Sequence, residues 1–287
     1  MPRTSDIPIE PPTVSAPTVV RAKEDRSYLG FIAMALIAAL GGGFVFAIWI
    51  PLATTGMIGG GDRVPWMVQA HGWVQLQGWA GLFVAGMGIR LIPRFAGRKP
   101  IPRVVTLPLL IVLTFPIVLR IALQTWATGD FADLVAIAIG VTSGIGQAGV
   151  AAVLGVTLAR GRKPRDPWRY FAWAGAVWWG AWAILTLTHI PHGGIAPGLM
   201  PIQDDETLLW VVMLGPIANF IWGVQSRSVP VFYGRGTPSL RKTIVPGVAF
   251  NVGVVLIAAS LFDDATGFRL AGAGFLLAGA SLVWLPP

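Results

Sequence analysis

This chain contains no cysteine, so three histidines carry most of its capacity to hold a metal. His71 stands deep inside an apolar stretch that runs from about Trp66 to Ile92. In hydrocarbon an ionisable side chain is costly, and it is normally paired, turned toward a bundle interior or bound to something. Met67, His71, Gln75 and Gly78 recur at helical spacing and share one face. A small residue beside a polar one leaves room there for a flat cofactor. Two roles are therefore open to His71: a packed, hydrogen-bonded imidazole, or a haem or metal ligand. His189 and His192, in the segment THIPHGG, fall where an apolar stretch meets water. Each reads equally as an interfacial residue and as a ligand.

The elements that must position these residues are membrane helices. Of 287 residues 54% are hydrophobic and 12% charged, which predicts an all-α polytopic membrane protein whose first partner is the lipid bilayer. The net charge of +8 carries no nucleic-acid role, because the basic residues gather at the ends of apolar segments. Eight stretches reach the roughly 20 residues needed to cross a bilayer core. They lie near 29–50, 66–92, 103–125, 131–159, 168–190, 205–229, 241–262 and 268–285. Residues 1–27, rich in Pro, Thr and Val without periodicity, read as a disordered tail, and the first apolar run lacks the cleavage site of a signal peptide.

All 21 basic residues except Arg63, Arg120 and Arg269 fall on one side of this arrangement, and most acidic residues fall on the other. By the positive-inside rule, both termini are expected in the cytoplasm of a bacterium, with the chain in its inner membrane. All three histidines then share one level near the outer face.

An internal repeat divides the chain. Gly86, Arg90, Pro93, Phe95, Gly97 and Arg98 reappear 137 residues later as Gly223, Arg227, Pro230, Phe232, Gly234 and Arg235. The same offset carries spans one to four onto five to eight, which predicts a parallel 4+4 repeat with halves 28–160 and 161–287. In this motif proline ends the helix, glycine makes the turn and arginine anchors to anionic headgroups. The histidines do not repeat: His71 maps onto Leu208, His189 onto Leu52 and His192 onto Thr55.

The segment HGWVQLQGWAGLF, ending in G-x-x-x-R-x-x-P-x-F-x-G, together with ANFIWGVQSRSVPVFYGR, resembles the NnrS family of haem- and copper-containing bacterial membrane proteins. The resemblance covers spans two and six. It implies a role in nitric oxide metabolism or nitrosative stress, with His71 as an iron ligand and His189 and His192 as further candidates. Nitric oxide itself and a redox partner protein are the implied partners.

Three histidines limit the chemistry to one b-type haem, with His71 as one axial ligand and His189 or His192 as the other, or with an open site. The remaining histidine would join Met67 or Met200 in a soft copper(I) site. Arg120 lies in the outer third of span three with Gln124 one turn further out, so it either snorkels outward or meets a haem propionate. Gln147 and Asn219, buried at mid-span, read as interhelical hydrogen bonds. No paired carboxylates, nucleophile triad, phosphate loop or HExxH motif appears, so hydrolytic and nucleotide chemistry have no support, and catalysis of any kind stays open. The alternatives are a cofactor-free transporter of small solutes and a structural subunit of a respiratory membrane complex.

Overall fold

Apolar runs set the helices of this chain, and several continue through a proline, as at Pro51, Pro108 and Pro246. The structure, a computed structural model, describes residues 26–162, 166–189, 196–262 and 266–283. Its described residues form eight helical rods: α1 (Tyr28–Thr54), α2 (64–95), α3 (Arg103–Gln124), α4 (Gly129–Arg160), α5 (Pro167–Thr188), α6 (Ile202–Phe232), α7 (Leu240–Ala259) and α8 (Thr266–Val283). Six of these, all but α2 and α8, are long and apolar enough to cross a membrane. In α2 the apolar run is interrupted by Gln69, His71, Gln75, Gln77 and Arg90, several of which face other helices rather than lipid. The tail expected at residues 1–27 lies almost wholly outside the described residues.

The rods alternate in direction, so their connections gather at two ends. At the basic end Arg162 N donates to Ala96 O at 2.9 Å, and Arg227 meets Asp166 at 3.6 Å. At the other end Arg63 reaches Ala127 O, Trp66 Nε1 donates to Pro197 O and Gly198 N donates to Asp133. α1 packs on α2, α3 and α5 on α4, α6 on α5, and α8 on α7. Trp73, Trp168, Trp179, Trp182, Phe31 and Phe171 are the bulkiest fully buried side chains and fill the centre. Leu36, Ile37, Leu40 and Phe44 of α1 and Ile111 and Phe115 of α3 point outward, an apolar exterior suited to lipid.

Four rods contain wide π-helical turns, at Ala39–Phe44, Val74–Gly81, Arg120–Gln124 and Met213–Ile217. Two have an evident local cause. Pro216 lies within the last, and Pro116 one turn before the third, and each lacks the amide an α-helix needs there.

The two copies of the sequence motif end their helices alike. Gly97 and Gly234 take φ of +63° and +62°, the left-handed conformation that glycine adopts without strain. Arg98 N donates to Pro93 O at 2.7 Å, and Arg235 N to Pro230 O at 2.8 Å. The motif arginines meet protein rather than only headgroups: Arg90 lies 4.1 Å over the Tyr28 ring, and Arg227 lies 4.9 Å over that of Phe95.

Candidate functional site

α2 presents two chemically different faces to its neighbours. The first carries Met67, His71, Gln75 and Gly78 and lies against α1. His71 Nδ1 is 2.9 Å from Gly43 O. A carbonyl only accepts, so Nδ1 carries a proton, and in the neutral ring the lone pair is on Nε2. Gln75 covers the same glycine, where a Cβ would lie 2.6 Å from its Nε2. At Gly78 a Cβ would come within 3.1 Å of Ala38 Cβ and 3.3 Å of Ile117 Cγ2. The space expected there for a flat cofactor is therefore filled by α1 and α3, and the glycine serves close helix packing. Met67 is fully buried beside Phe46 and Ala70.

His189 closes α5, where its Nδ1 lies 3.0 Å from Leu185 O and its ring meets Phe262 edge-on at 5.6 Å. No contact among the described residues joins it to His71. His192 lies outside the described residues. No group of three or more His, Asp or Glu side chains comes together among the described residues.

The second face of α2 carries Gln69, Trp73 and Gln77, each four residues apart, and turns into the bundle. Gln69 Nε2 donates to Met200 O and its Oε1 accepts from Met200 N, pinning the segment that leads into α6. Trp73 Nε1 donates to Asp205 Oδ1 at 2.6 Å. Asp205 sits in the first turn of α6, where the helix dipole favours a carboxylate. The Arg120 guanidinium lies 4.3 Å over the Trp73 ring, and its Nη1 donates to Gln124 Oε1 at 2.8 Å. Arg120 is only 6% exposed, so it does not snorkel to the surface. Arg120 and Asp205 thus bind one indole from α3 and α6, near enough to attract each other. Between them, with Gln69, Gln124, Thr186 and Met200, lies a cavity of about 20 Å³, room for one water-sized molecule.

Deeper in, Gln77 Nε2 donates to Ser143 Oγ at 3.1 Å, and Trp182 stacks on Trp73 at 5.9 Å. Asn219 behaves as its burial led us to expect: it exchanges hydrogen bonds with Asn251 of α7, both at 3.1 Å. Gln147 does not, for neither end of its amide has a protein partner among the described residues.

Of the residues expected at the site, His71 and Gln75 share Gly43, while Arg120 belongs to the other face. Sequence reasoning missed Gln69, Gln77, Ser143, Thr186 and Asp205. The four-residue spacing of Gln69, Trp73 and Gln77 was the available signal. Compared with known proteins, the chain matches no family profile, no curated protein and no solved structure.

Proposed function

We propose that this chain is a haem-b-binding protein of the bacterial inner membrane, resembling the NnrS family and serving the response to nitric oxide, with His71 as an axial ligand. The observation that carries this reading is the bond between His71 Nδ1 and Gly43 O. Histidines that bind metal usually donate their other N–H to a carbonyl or carboxylate, which fixes ring and tautomer and leaves the second nitrogen free to ligate. His189 Nδ1 lies between Leu185 O and the Thr188 hydroxyl, which orient the ring without fixing its tautomer, and His189 is the second candidate ligand. The filled notch at Gly78 gives no support, so the reading rests on Nε2 and the sequence resemblance. When bound, haem iron supplies a site for a diatomic gas or an electron. A copper(I) site made by the remaining histidine with Met67 or Met200 belongs to the same proposal.

The parallel 4+4 repeat and cytoplasmic termini are part of this reading. The likeness of the two glycine caps supports the repeat, as does the 137-residue offset, which places Met213–Ile217 within the counterpart of Val74–Gly81. Reporter fusions after Arg98 and near Gly60 should give cytoplasmic and periplasmic signals respectively.

Absorption spectra of the purified protein, oxidised and dithionite-reduced, test the haem reading. A Soret band that His71→Ala abolishes in folded protein is the expected result. A wild-type protein without a Soret band after expression with added haem would sink it. The second reading is then a cofactor-free carrier of small solutes, favoured by the buried Arg120 and Asp205 around a cavity.

A further inference from the structure

Among the described residues, six of the twelve buried side-chain nitrogen and oxygen atoms without a protein partner fall along one seam inside the bundle. The seam begins at the Arg120 cavity, where Arg120 Nε and Thr186 Oγ1 are fully enclosed and have no protein partner among the described residues. On α5, Thr186, Trp182 and Trp179 lie four and three residues apart and so follow one face inward. The indole N–H groups of both tryptophans are also buried without a protein partner among the described residues. On α4, Gly140 lines the cavity, Ser143 bonds Gln77, and Gln147 follows one turn further on the same face. On α2, Trp73, Gln77 and Gly81 keep the same interval, and Trp179 packs 3.6 Å from the position of a Cβ on Gly81. Arg120 of α3, three side chains of α5 and Gln147 of α4 therefore bring their unpartnered groups to one line, and α2 borders it with groups that are already bonded. It extends about 10 Å along α4, taking 1.5 Å per residue from Gly140 to Gln147.

Leaving an amide unpaired in an apolar interior is unfavourable, because the lost bonds to water are not replaced. More than roughly nine in ten buried polar groups in folded proteins are partnered by protein or by ordered water. Gln147 is fully buried with both an unmet donor and an unmet acceptor, the requirement that water meets with a single molecule. The cavity at the head of the seam is already large enough for one. Charge at its mouth selects against metal cations, since the Arg120 guanidinium lines it, and Asp205 offsets the attraction of anions.

We propose that this seam is a water-lined half-path, leading from the Arg120 cavity to Gln147 just past the midpoint of α4 and admitting neutral hydrogen-bonding molecules of water size. Water in it would partner Thr186, Trp182, Trp179 and Gln147 in turn. The proposal does not depend on His71 holding iron, because His71 lies on the other face of α2.

Radiolytic hydroxyl-radical footprinting of the full chain in nanodiscs tests it, because radicals made from bound water label adjacent side chains. Trp179 and Trp182 should be oxidised about tenfold faster than the equally buried rings of Phe31 and Phe171. Labelling of both tryptophans at the rate of those phenylalanines would overturn the proposal. The absence of cysteine permits a second measurement, with hydrogen peroxide as a neutral, water-like probe. Peroxide transfers one oxygen to a thiolate, giving sulfenic acid and hydroxide, and mass spectrometry reads the added oxygen. Ser143→Cys should react about tenfold faster than Leu154→Cys, which is fully buried beyond the seam. Reaction at Thr186→Cys but not at Ser143→Cys would confine water to the cavity and overturn the path. If Ser143→Cys does not fold, the footprint of the unsubstituted protein decides.

Discussion

The two faces of α2 differ in how their polar groups are held, and the difference separates a ligand from a scaffold. On the His71 face one imidazole is oriented by a single carbonyl, while Gln75 Oε1 is left without a protein partner. On the Trp73 face an arginine, an aspartate and two glutamines are cross-linked through α3, α6 and the segment before α6. A group oriented but not saturated is free to bind something else. A group saturated by three elements holds those elements together. The face with more polar residues is thus structural where it is satisfied, and open at the cavity and along the seam that leads from it.

Breaking the Trp73 face should have the largest effect. Arg120→Met leaves Asp205 buried without its compensating charge, as Asp205→Leu does for Arg120, and each should lower stability by about 3 kcal/mol. Thermal unfolding in detergent measures both. The double variant should lose less than the sum of the two, by about 1 kcal/mol or more. Strict additivity would mean the two charges do not act through their shared indole.

Trp73→Phe keeps one aromatic ring but removes the N–H that Asp205 accepts at 2.6 Å and part of the surface that meets Arg120 and Trp182. Hydrogen bonds to a charged group are worth about 1.5–3 kcal/mol, so this variant should unfold earlier than wild type but later than Arg120→Met. Its haem content per folded protein should be normal. Loss of haem here, with His71 intact, would move the cofactor to the interior face.

His71→Ala should cost only about 1 kcal/mol, the worth of one hydrogen bond, yet remove the Soret band. A stability loss as large as that of Arg120→Met, with haem retained, would reverse the roles of the faces. Gln75→Leu should have the smallest effect, within about 0.5 kcal/mol, because an unpartnered buried oxygen is replaced by an apolar group. An altered haem spectrum in this variant would place Gln75 in the cofactor site.

Much of the scaffold was legible because apolar runs and their stops are local properties. The ends of α2 and α6 follow from Pro93 with Gly97 and from Pro230 with Gly234, and both glycines take the left-handed turn their position demands. The count of spans was less secure. α2 carries its polar groups inside the bundle, and a hydropathy average cannot tell an inward glutamine from a lipid-facing one. The site was only half legible. His71 announced itself as an ionisable residue in an apolar run, whereas Asp205 looked like one of several acidic residues outside the membrane. Its role depends on α6 crossing α2 at Trp73, a tertiary fact without local signature. Gly78 shows a related ambiguity: a missing side chain suits a cofactor and a neighbouring helix equally, and in the structure Ala38 and Ile117 lie against it.

The wide turn at Val74–Gly81 lies between the two working parts of α2, with Gln69, His71 and Trp73 on one side and the Arg90–Pro93–Gly97 cap on the other. A π-helical turn holds a surplus residue, and an α-helix rotates about 100° for each residue it gains or loses. The rod therefore works as a shaft with a phase offset built into its middle. Removing one residue there would keep the cap seated and swing His71 off Gly43 and Trp73 off Asp205 together. The angular setting of the polar end is fixed independently of how the basic end is fastened.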